Sequence, residues 1–451
     1  MIENVASKMR KDKIYVFGSL ALFLWICMTY FLFVHRPNPA ESLRKKFLTN
    51  DKDLISESLV NLHLKIEDFE RRLKRTSEEN SELLQSLQKA VSSKSQDNED
   101  RQKSLENEHK NEDLVIAVLM FACNRVTVSK ALDSLLKIRT NKSKFPIIVS
   151  QDCGHAETAQ VIQSYGDQIQ FIQQPDQGKI AGIPKKERKF EGYFKIARHY
   201  GWALNEMFKK YQQVIIVEDD LEVSPDFFDY FESTLPVLKA DPSLWCVSAW
   251  NDNGKSGLID QSAHQLLYRT DFFGGLGWML TKTLWDEIGP KWPRSYWDDW
   301  MRHPDQRKGR ACIRPEISRT KTFGKIGVSN GLFFDKHLKF IQLNEIPAKW
   351  GDLTSTLHKT TYDKELVEKL NSTPVVTLQD LKNGGAGSKP VRVVYSSKES
   401  FKRIARALGF MDDFKSGVPR MAYQGVVFTM YKGQRVYVVP NSSWKGYDPT
   451  W

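Results

Sequence analysis

Residues 14 to 34 carry no charge and form one apolar block of about 21 residues, the length a bilayer span requires. Polar, charged and glycine-poor sequence follows from about residue 37 to 111. Within it Ile55, Leu59, Leu62, Ile66, Phe69 and Leu73 step by alternating fours and threes. Thr76 and Asn80 interrupt that seam, and Leu83, Leu87 and Ala90 resume it. Heptad spacing of this kind predicts a helical stem that can pair as a coiled coil. The charged, serine-rich residues 92–112 predict a flexible spacer.

From Leu114 the pattern changes to short apolar runs alternating with helical periodicity. Residues 115–121 form a run that ends in Ala122-Cys123-Asn124-Arg125, and helical spacing follows over 128–138. A second run at 145–149 ends in Ser150-Gln151-Asp152-Cys153, and 168–172 reads as a third. Helical periodicity over 196–208 leads into Val214-Ile215-Ile216-Val217, and 245–249 is a further strand ending in Trp250-Asn251-Asp252-Asn253. This alternation predicts an α/β fold with a mostly parallel sheet and helices on both faces. Residues 382–390, rich in glycine, read as a linker. Strands are expected at 391–395, 425–431 and 434–439, the last two joined as a hairpin through Lys432-Gly433. The predicted organisation is a tail over 1–13, a membrane anchor over 14–34 and a stem with spacer over 35–113. A main α/β domain over 114–324, a loop and linker over 325–360 and a smaller strand-containing domain over 361–451 complete it.

The chemistry concentrates where strands end. Val217 runs straight into Glu218, Asp219 and Asp220. Ligands of open α/β sheets sit beyond the carboxyl ends of the strands, and three adjacent acids repel one another unless a cation neutralises them. Oxygen ligands suit Mg²⁺ or Mn²⁺ held by one or two carboxylates together with substrate phosphates. The plainer alternative is an acidic loop that closes a strand. A second cluster spans residues 292–302, where Asp298 and Asp299 lie between Trp297 and Trp300, with Tyr296 just before. Aromatic rings stack on the apolar faces of sugars, and desolvation among them makes a carboxylate more basic. Its alternative is a helix N-terminus with acids in the first turn and aromatics packed inward.

Residues 271–278 form a glycine-rich aromatic loop that permits close backbone approach to a ligand. The loop lacks the spacings of nucleotide-triphosphate and dinucleotide motifs. Arg302, Arg307, Arg310, Arg314 and Arg319 follow, as phosphate contacts, braces for acids or solvated surface. Residues 323–331 carry Gly324, Gly327 and Gly331 and read as a lid over a diphosphate or as a surface turn.

Charge and cysteine usage set the compartment. Lys8, Arg10, Lys11 and Lys13 precede the apolar block and only His35 and Arg36 follow closely, which puts the N-terminus in the cytosol and the rest across the membrane. Bulky Tyr30, Phe31, Phe33 and Val34 end the block, favouring an uncleaved anchor over a signal peptide. Cys27 lies within the span, leaving Cys123, Cys153, Cys246 and Cys312, an even set for an oxidising lumen with three possible pairings. If the strands before Cys123 and Cys153 are neighbours, those two sulfurs meet and Cys246 is left with Cys312. Asn141, Asn371 and Asn441 begin glycosylation sequons, available only in such a lumen. The net charge of +11 comes from basic residues scattered among acids. That is no nucleic-acid stripe, and it suits a nucleotide diphosphate and anionic membrane surfaces.

Six motifs carry a specific resemblance: Val217-Glu-Asp-Asp-Leu-Glu, Ser248-Ala-Trp-Asn-Asp-Asn-Gly, Tyr268-Arg-Thr-Asp-Phe-Phe, Gly275-Leu-Gly-Trp, Trp297-Asp-Asp-Trp-Met-Arg and Arg314-Pro-Glu-Ile-Ser-Arg-Thr. Through them the chain from about Leu114 onward resembles the N-acetylglucosaminyltransferase I family; the stem is too dissimilar to inform. The resemblance implies a single-pass type II Golgi membrane enzyme whose lumenal residues 114–324 form a GT-A nucleotide-sugar-binding catalytic domain. It implies UDP-GlcNAc as donor, Mn²⁺ as cofactor and inversion at the anomeric carbon. The implied acceptor is the α-1,3-linked mannose of the five-mannose N-glycan, the step that starts hybrid and complex N-glycans. By motif match Asp220 holds the metal, and Glu218 and Asp219 hold water on that metal and the ribose. Arg125, Asp152 and His199 contact the uridine end. Asp298 is the general base, with Trp297 beside it at the sugar, and Val328 and Ser329 lie in the loop over the diphosphate. The implied disulfides are Cys123–Cys153 and Cys246–Cys312. Two rivals share the donor site: a β-1,2-GlcNAc transferase acting on O-linked mannose, and a non-catalytic Golgi lectin, which would be expected to lack Asp220 or Asp298. The stem offers a surface for a homodimer or for other Golgi transferases.

Overall fold

The computed structural model describes residues 66–72, 74–76, 78, 114–325, 327, 331, 333–384 and 388–451. The predicted tail, the anchor at 14–34, most of the stem, the spacer, and Val328 and Ser329 lie outside the described residues. Among the described residues no helix is long and apolar enough to cross a membrane. Contacts divide the chain into Met1–Glu112 and Asp113–Trp451. In the first unit residues 66–72 are helical, and the seam positions Ile66 and Phe69 are exposed.

The second unit is built on an eight-stranded sheet. Its strands are β1 (Ala117–Ala122), β2 (Ile147–Gln151), β3 (Gln170–Gln173), β4 (Gln213–Glu218), β6 (Leu244–Ser248), β7 (Leu267–Thr270), β8 (Trp278–Thr281) and β9 (Ala311–Pro315), in the order β3-β2-β1-β4-β8-β6-β9-β7. Parallel pairs join β3 to β2, β2 to β1, β1 to β4 and β6 to β9. β8 is antiparallel to both β4 and β6, and β7 is antiparallel to β9, so every strand but β7 and β8 shares one direction. All of β1 is buried, as is all of β4 up to Glu218. Both faces are covered, which is why these strands read as unbroken apolar runs. One face packs against helices α1 (Val128–Ile138), α2 (Ala156–Gln163) and α4 (Phe227–Ala240); the other packs against α3 (Glu191–Phe208) and α5 (Lys282–Ile288).

Strands β7, β8 and β9 fall where no strand was expected. They are four or five residues long and enclosed on both faces, so they show neither alternation nor a long apolar run. The end of the expected glycine-rich ligand loop is a strand, with Trp278 fully buried between β4 and β6. Arg314 and Arg319 are not solvated surface. Arg314 lies buried over the Tyr268 ring at 4.3 Å, and Arg319 pairs with buried Asp226 at 3.1 Å.

A short pair, β5 (Leu221–Val223) with β10 (Thr320–Thr322), sets Leu221 against Thr322 and so returns the chain to the three acids. The C-terminal part holds β11 (Val391–Tyr395), a small hairpin of β12 (Phe414–Lys415) and β13 (Val418–Pro419), β14 (Val427–Tyr431) and β15 (Gln434–Pro440). β15 lies parallel to β11 and antiparallel to β14. Lys432 and Gly433 both take positive φ, 49° and 79°, as a two-residue hairpin turn of matching twist requires. The core of this part includes Leu258 and Phe272 from the larger sheet region. Asp271 reinforces the join, accepting hydrogen bonds of 2.7 Å from Gln424 N and Tyr447 Oη.

Both disulfides form. Cys123–Cys153 ties the ends of neighbouring β1 and β2, and Cys246–Cys312 joins register partners of β6 and β9, with Cα separations of 5.4 and 4.7 Å. Strand adjacency resolves the three-way choice of pairings.

Candidate active site

Because β2, β1 and β4 are adjacent and parallel, their carboxyl ends open at one edge; Phe121 stands opposite Glu218, and Ala122 opposite Gln151. The backbone extends this order past the strands. Asp152 N donates to Ala122 O and Asp219 N donates to Phe121 O, both at 3.0 Å. Arg125, Asp152 and the three acids thereby follow the ends of strands that open at one edge.

Arg125 Nη1 donates to Asp219 Oδ1 at 2.6 Å and to Asp220 Oδ2 at 2.8 Å. Tyr200 Oη donates to Glu218 Oε1 at 2.9 Å. Burial, together with the charges of Asp220 and Asp219, pushes Glu218 up to about 7 despite the Tyr200 hydrogen bond. Burial pushes Asp219 up to about 6 against the pull of Arg125, and raises Asp220 in the same way. Each carboxylate gains by meeting further positive charge. Asp220 Oδ1 is buried with no hydrogen-bond partner among the described residues, so the donor set fits a cation. Among the described residues no group of three or more His, Cys, Asp or Glu forms a metal cage. A divalent ion held by one or two carboxylates and by substrate oxygens needs none.

The loop after β10 lies directly on these groups. Phe323 N donates to Asp220 O at 3.0 Å. A Cβ on Gly324 would overlap the Asp220 carboxylate, and one on Gly327 would sit 2.9 Å from the Arg125 guanidinium. At Gly324 only glycine permits that approach, whereas at Gly327 the flexible guanidinium would have to shift. His199 sits beneath the same edge, its Nε2 2.7 Å from Ser150 Oγ and its ring edge-on to Phe121. Burial, with Arg198 nearby, pushes it down to about 3, so it is neutral at physiological pH.

The second cluster is α6 (Trp297–Arg302), whose first turn carries Asp298 and Asp299. For Trp297 the inward-packed alternative holds: the ring is buried and stacked with Tyr200 at 4.4 Å, Trp278 at 5.8 Å and Trp292 at 5.8 Å. The expected rise in Asp298 basicity is also corrected. Burial pushes Asp298 up, but the charge and hydrogen bond of Arg302 outweigh it and hold the group below the usual carboxylate value. Arg302 Nη1 donates to Asp298 Oδ2 at 2.7 Å and to Asp299 Oδ1 at 2.9 Å, and Lys415 Nζ donates to Asp299 Oδ2 at 3.1 Å. The Asp298 side chain is 41% exposed, open to an incoming ligand.

Tyr200 joins the two clusters and was not anticipated. Its hydroxyl holds Glu218, while its ring is sandwiched between Phe121 at 3.7 Å and Trp297 at 4.4 Å. The available signal was a tyrosine at an inward position of α3, whose buried hydroxyl must find a partner.

Acids at the carboxyl edge of a mostly parallel sheet, with Tyr200 stacked on the Trp297 of the helix that carries Asp298, define an α/β protein whose family match makes it a glycosyltransferase. The chain belongs to the GNT-I family, whose family model matches residues 17–451. It is 39% identical over 339 residues to the alpha-1,3-mannosyl-glycoprotein 2-beta-N-acetylglucosaminyltransferase of Arabidopsis thaliana, covering 72% of this chain and 74% of that protein. Solved structures that match more distantly include the mannosyltransferase PcManGT from Pyrobaculum calidifontis in complex with GDP-Man and Mn²⁺, at 15% identity and a TM-score of 0.31 over 46% of this chain and 55% of that one. S. aureus TarS 1-349 in complex with UDP-GlcNAc matches at 11% identity and a TM-score of 0.32, over 65% and 71%.

Proposed function

We infer that this chain transfers GlcNAc from UDP-GlcNAc, in β-1,2 linkage and with inversion, to the α-1,3-linked mannose of the five-mannose N-glycan, the step that starts hybrid and complex N-glycans. Family membership and the named relative support the reaction. The observation that carries the mechanism is an ionised, open carboxylate, Asp298, linked through Trp297 and Tyr200 to the buried acids.

In this reading Arg125, Asp152 and neutral His199 receive the uridine end of the donor, and Glu218 and Asp219 would hold water on the metal and the ribose. Asp220, whose buried Oδ1 has no partner among the described residues, would hold Mn²⁺. That ion supplies Lewis-acid stabilisation of charge on the diphosphate. Gly324 and Gly327 lie against Asp220 and Arg125, and Val328 and Ser329, next in sequence, would receive the diphosphate. Asp298 accepts the proton of the mannose 2-hydroxyl as that oxygen bonds to the anomeric carbon. The bond from that carbon to UDP breaks in the same displacement, and its electron pair leaves with UDP. One displacement inverts the centre, so no protein nucleophile is required. Arg302 keeps Asp298 ionised and oriented for the proton. We further propose that residues 14–34 anchor the chain in the Golgi membrane as a type II protein, with the stem holding the catalytic unit in the lumen and available for self-association. The charge asymmetry around the apolar block supports this orientation.

The test is an assay of the full-length chain with UDP-GlcNAc and a five-mannose N-glycan, with Mn²⁺ or with EDTA. The expected result is a Mn²⁺-dependent mass gain of one GlcNAc, β-1,2-linked by NMR. Transfer only to an O-mannosyl peptide would move the acceptor and keep the chemistry. Donor binding with no turnover on either acceptor would favour the lectin.

A further inference from the structure

Trp297, the tryptophan next to Asp298, is buried and stacked inward, so its ring offers no open face for a sugar to stack upon. Three other rings do reach solvent there. Tyr296 immediately precedes α6, and its ring lies 4.9 Å from that of Tyr193, tilted by 31°. Phe190, 40% exposed, stands 6.4 Å beyond Tyr193. The row therefore runs outward from the base-bearing helix: Tyr296, Tyr193, Phe190. Asp298 and Asp299 both lie near enough to Tyr193 to disfavour its ionisation, after the effect of burial, which places the row within reach of the carboxylate.

Tyr296 holds a left-handed backbone, φ 49° and ψ 47°. That conformation is uncommon for a bulky residue, and such strain is kept where it aims a side chain for use. Polar groups accompany the rings: Lys189 Nζ stands over one face of Phe190, 4.9 Å from its centre, leaving the opposite face for a ligand, and Glu187 lies near Tyr296. Apolar faces for sugar rings, edged by groups for their hydroxyls, fit a neutral oligosaccharide better than a nucleotide. The phosphates of a nucleotide would belong with Arg125 at the other cluster.

We propose that Tyr296, Tyr193 and Phe190 form a carbohydrate subsite that stacks mannose residues of the acceptor beyond the one that reacts. This rests on the acceptor reading given above and deepens it. The shelf binds the outer part of the glycan and lowers the acceptor concentration needed, while Asp298 acts on the reacting hydroxyl.

The full-length chain carrying Tyr193→Leu, Phe190→Ala or Tyr296→Asn tests this; asparagine tolerates the left-handed backbone while removing the ring. Loss of one stacking ring is expected to raise the KM for the five-mannose glycan about tenfold, with the dissociation constant of UDP-GlcNAc unchanged within about twofold. In an Asp298→Asn background, saturation-transfer NMR is expected to show mannose ring protons receiving magnetisation from the wild-type shelf and losing it in Phe190→Ala, whose exposed position spares the fold. An unchanged acceptor KM in all three folded variants overturns the proposal. A rise confined to the donor constant also overturns it, by giving the shelf to the donor sugar. If the wild-type chain binds the glycan through these rings yet never transfers to it, the subsite stands and the proposed reaction fails.

Discussion

Asp298 and Arg302 behave as one device at the scale of single residues. The acid is close to solvent and to a guanidinium at 2.7 Å, so it is a base that stays ionised rather than one raised toward neutrality. Asp298→Asn should keep UDP-GlcNAc binding by isothermal titration and lose about 10²–10⁴-fold in kcat, the usual contribution of a positioned base. Near-normal turnover would sink its assignment. The pH dependence has a definite sign. Asp298 lies below the ordinary carboxylate value, so the ionised base is present above that depressed value and is lost as pH falls through it. Arg302→Met removes the main depressing charge, so the acid limb of kcat/KM should move to higher pH. A limb that stays in place would show that another group titrates there. The acids themselves were legible in the sequence because Glu218, Asp219 and Asp220 follow a strand without interruption. The depressed state of Asp298 was not, because it depends on a side chain one helical turn away and on which face of α6 turns inward.

Among elements, α3 does more than cover the sheet. Its periodicity was visible in the sequence, but the partners of Tyr200 come from β1, β4 and α6, three segments far apart along the chain. Tyr200→Phe keeps the stacked rings and removes only the hydroxyl that serves buried Glu218. Leaving that carboxylate short of a donor should cost about 1–3 kcal/mol in denaturant unfolding at neutral pH. A variant as stable as the parent would mean that Glu218 draws its stabilisation elsewhere. The missed strands β7, β8 and β9 teach the same lesson. A four-residue strand enclosed by neighbours carries arginine, tryptophan or cysteine as readily as valine, because pairing and enclosure define it, not periodicity.

At the scale of the whole molecule, both clusters lie in the unit Asp113–Trp451, and the apolar block at 14–34 precedes it in the sequence. The C-terminal part belongs physically to that unit, because Phe272, Asp271 and the Lys415–Asp299 contact tie it to the base-bearing region. If residues 14–34 are the anchor, the full chain should stay in the membrane pellet after alkaline carbonate extraction. A chain lacking residues 1–34 should move to the supernatant with its kcat retained. A full chain that extracts freely would remove the anchor from the account.

The sequence by itself determined the α/β class, the acid-terminated strand, the acid-bearing aromatic segment, the C-terminal hairpin and the family, because each is written in contiguous residues or in their local spacing. Only the tertiary structure decided that Trp297 and Trp278 face inward, where the buried arginines find their acids, and that Tyr200 spans the two clusters. These outcomes depend on the strand order and on helix rotation, which bring together residues separated by tens to hundreds of positions. No local pattern encodes that meeting, since the free energy deciding it comes from enclosure and pairing across the sheet.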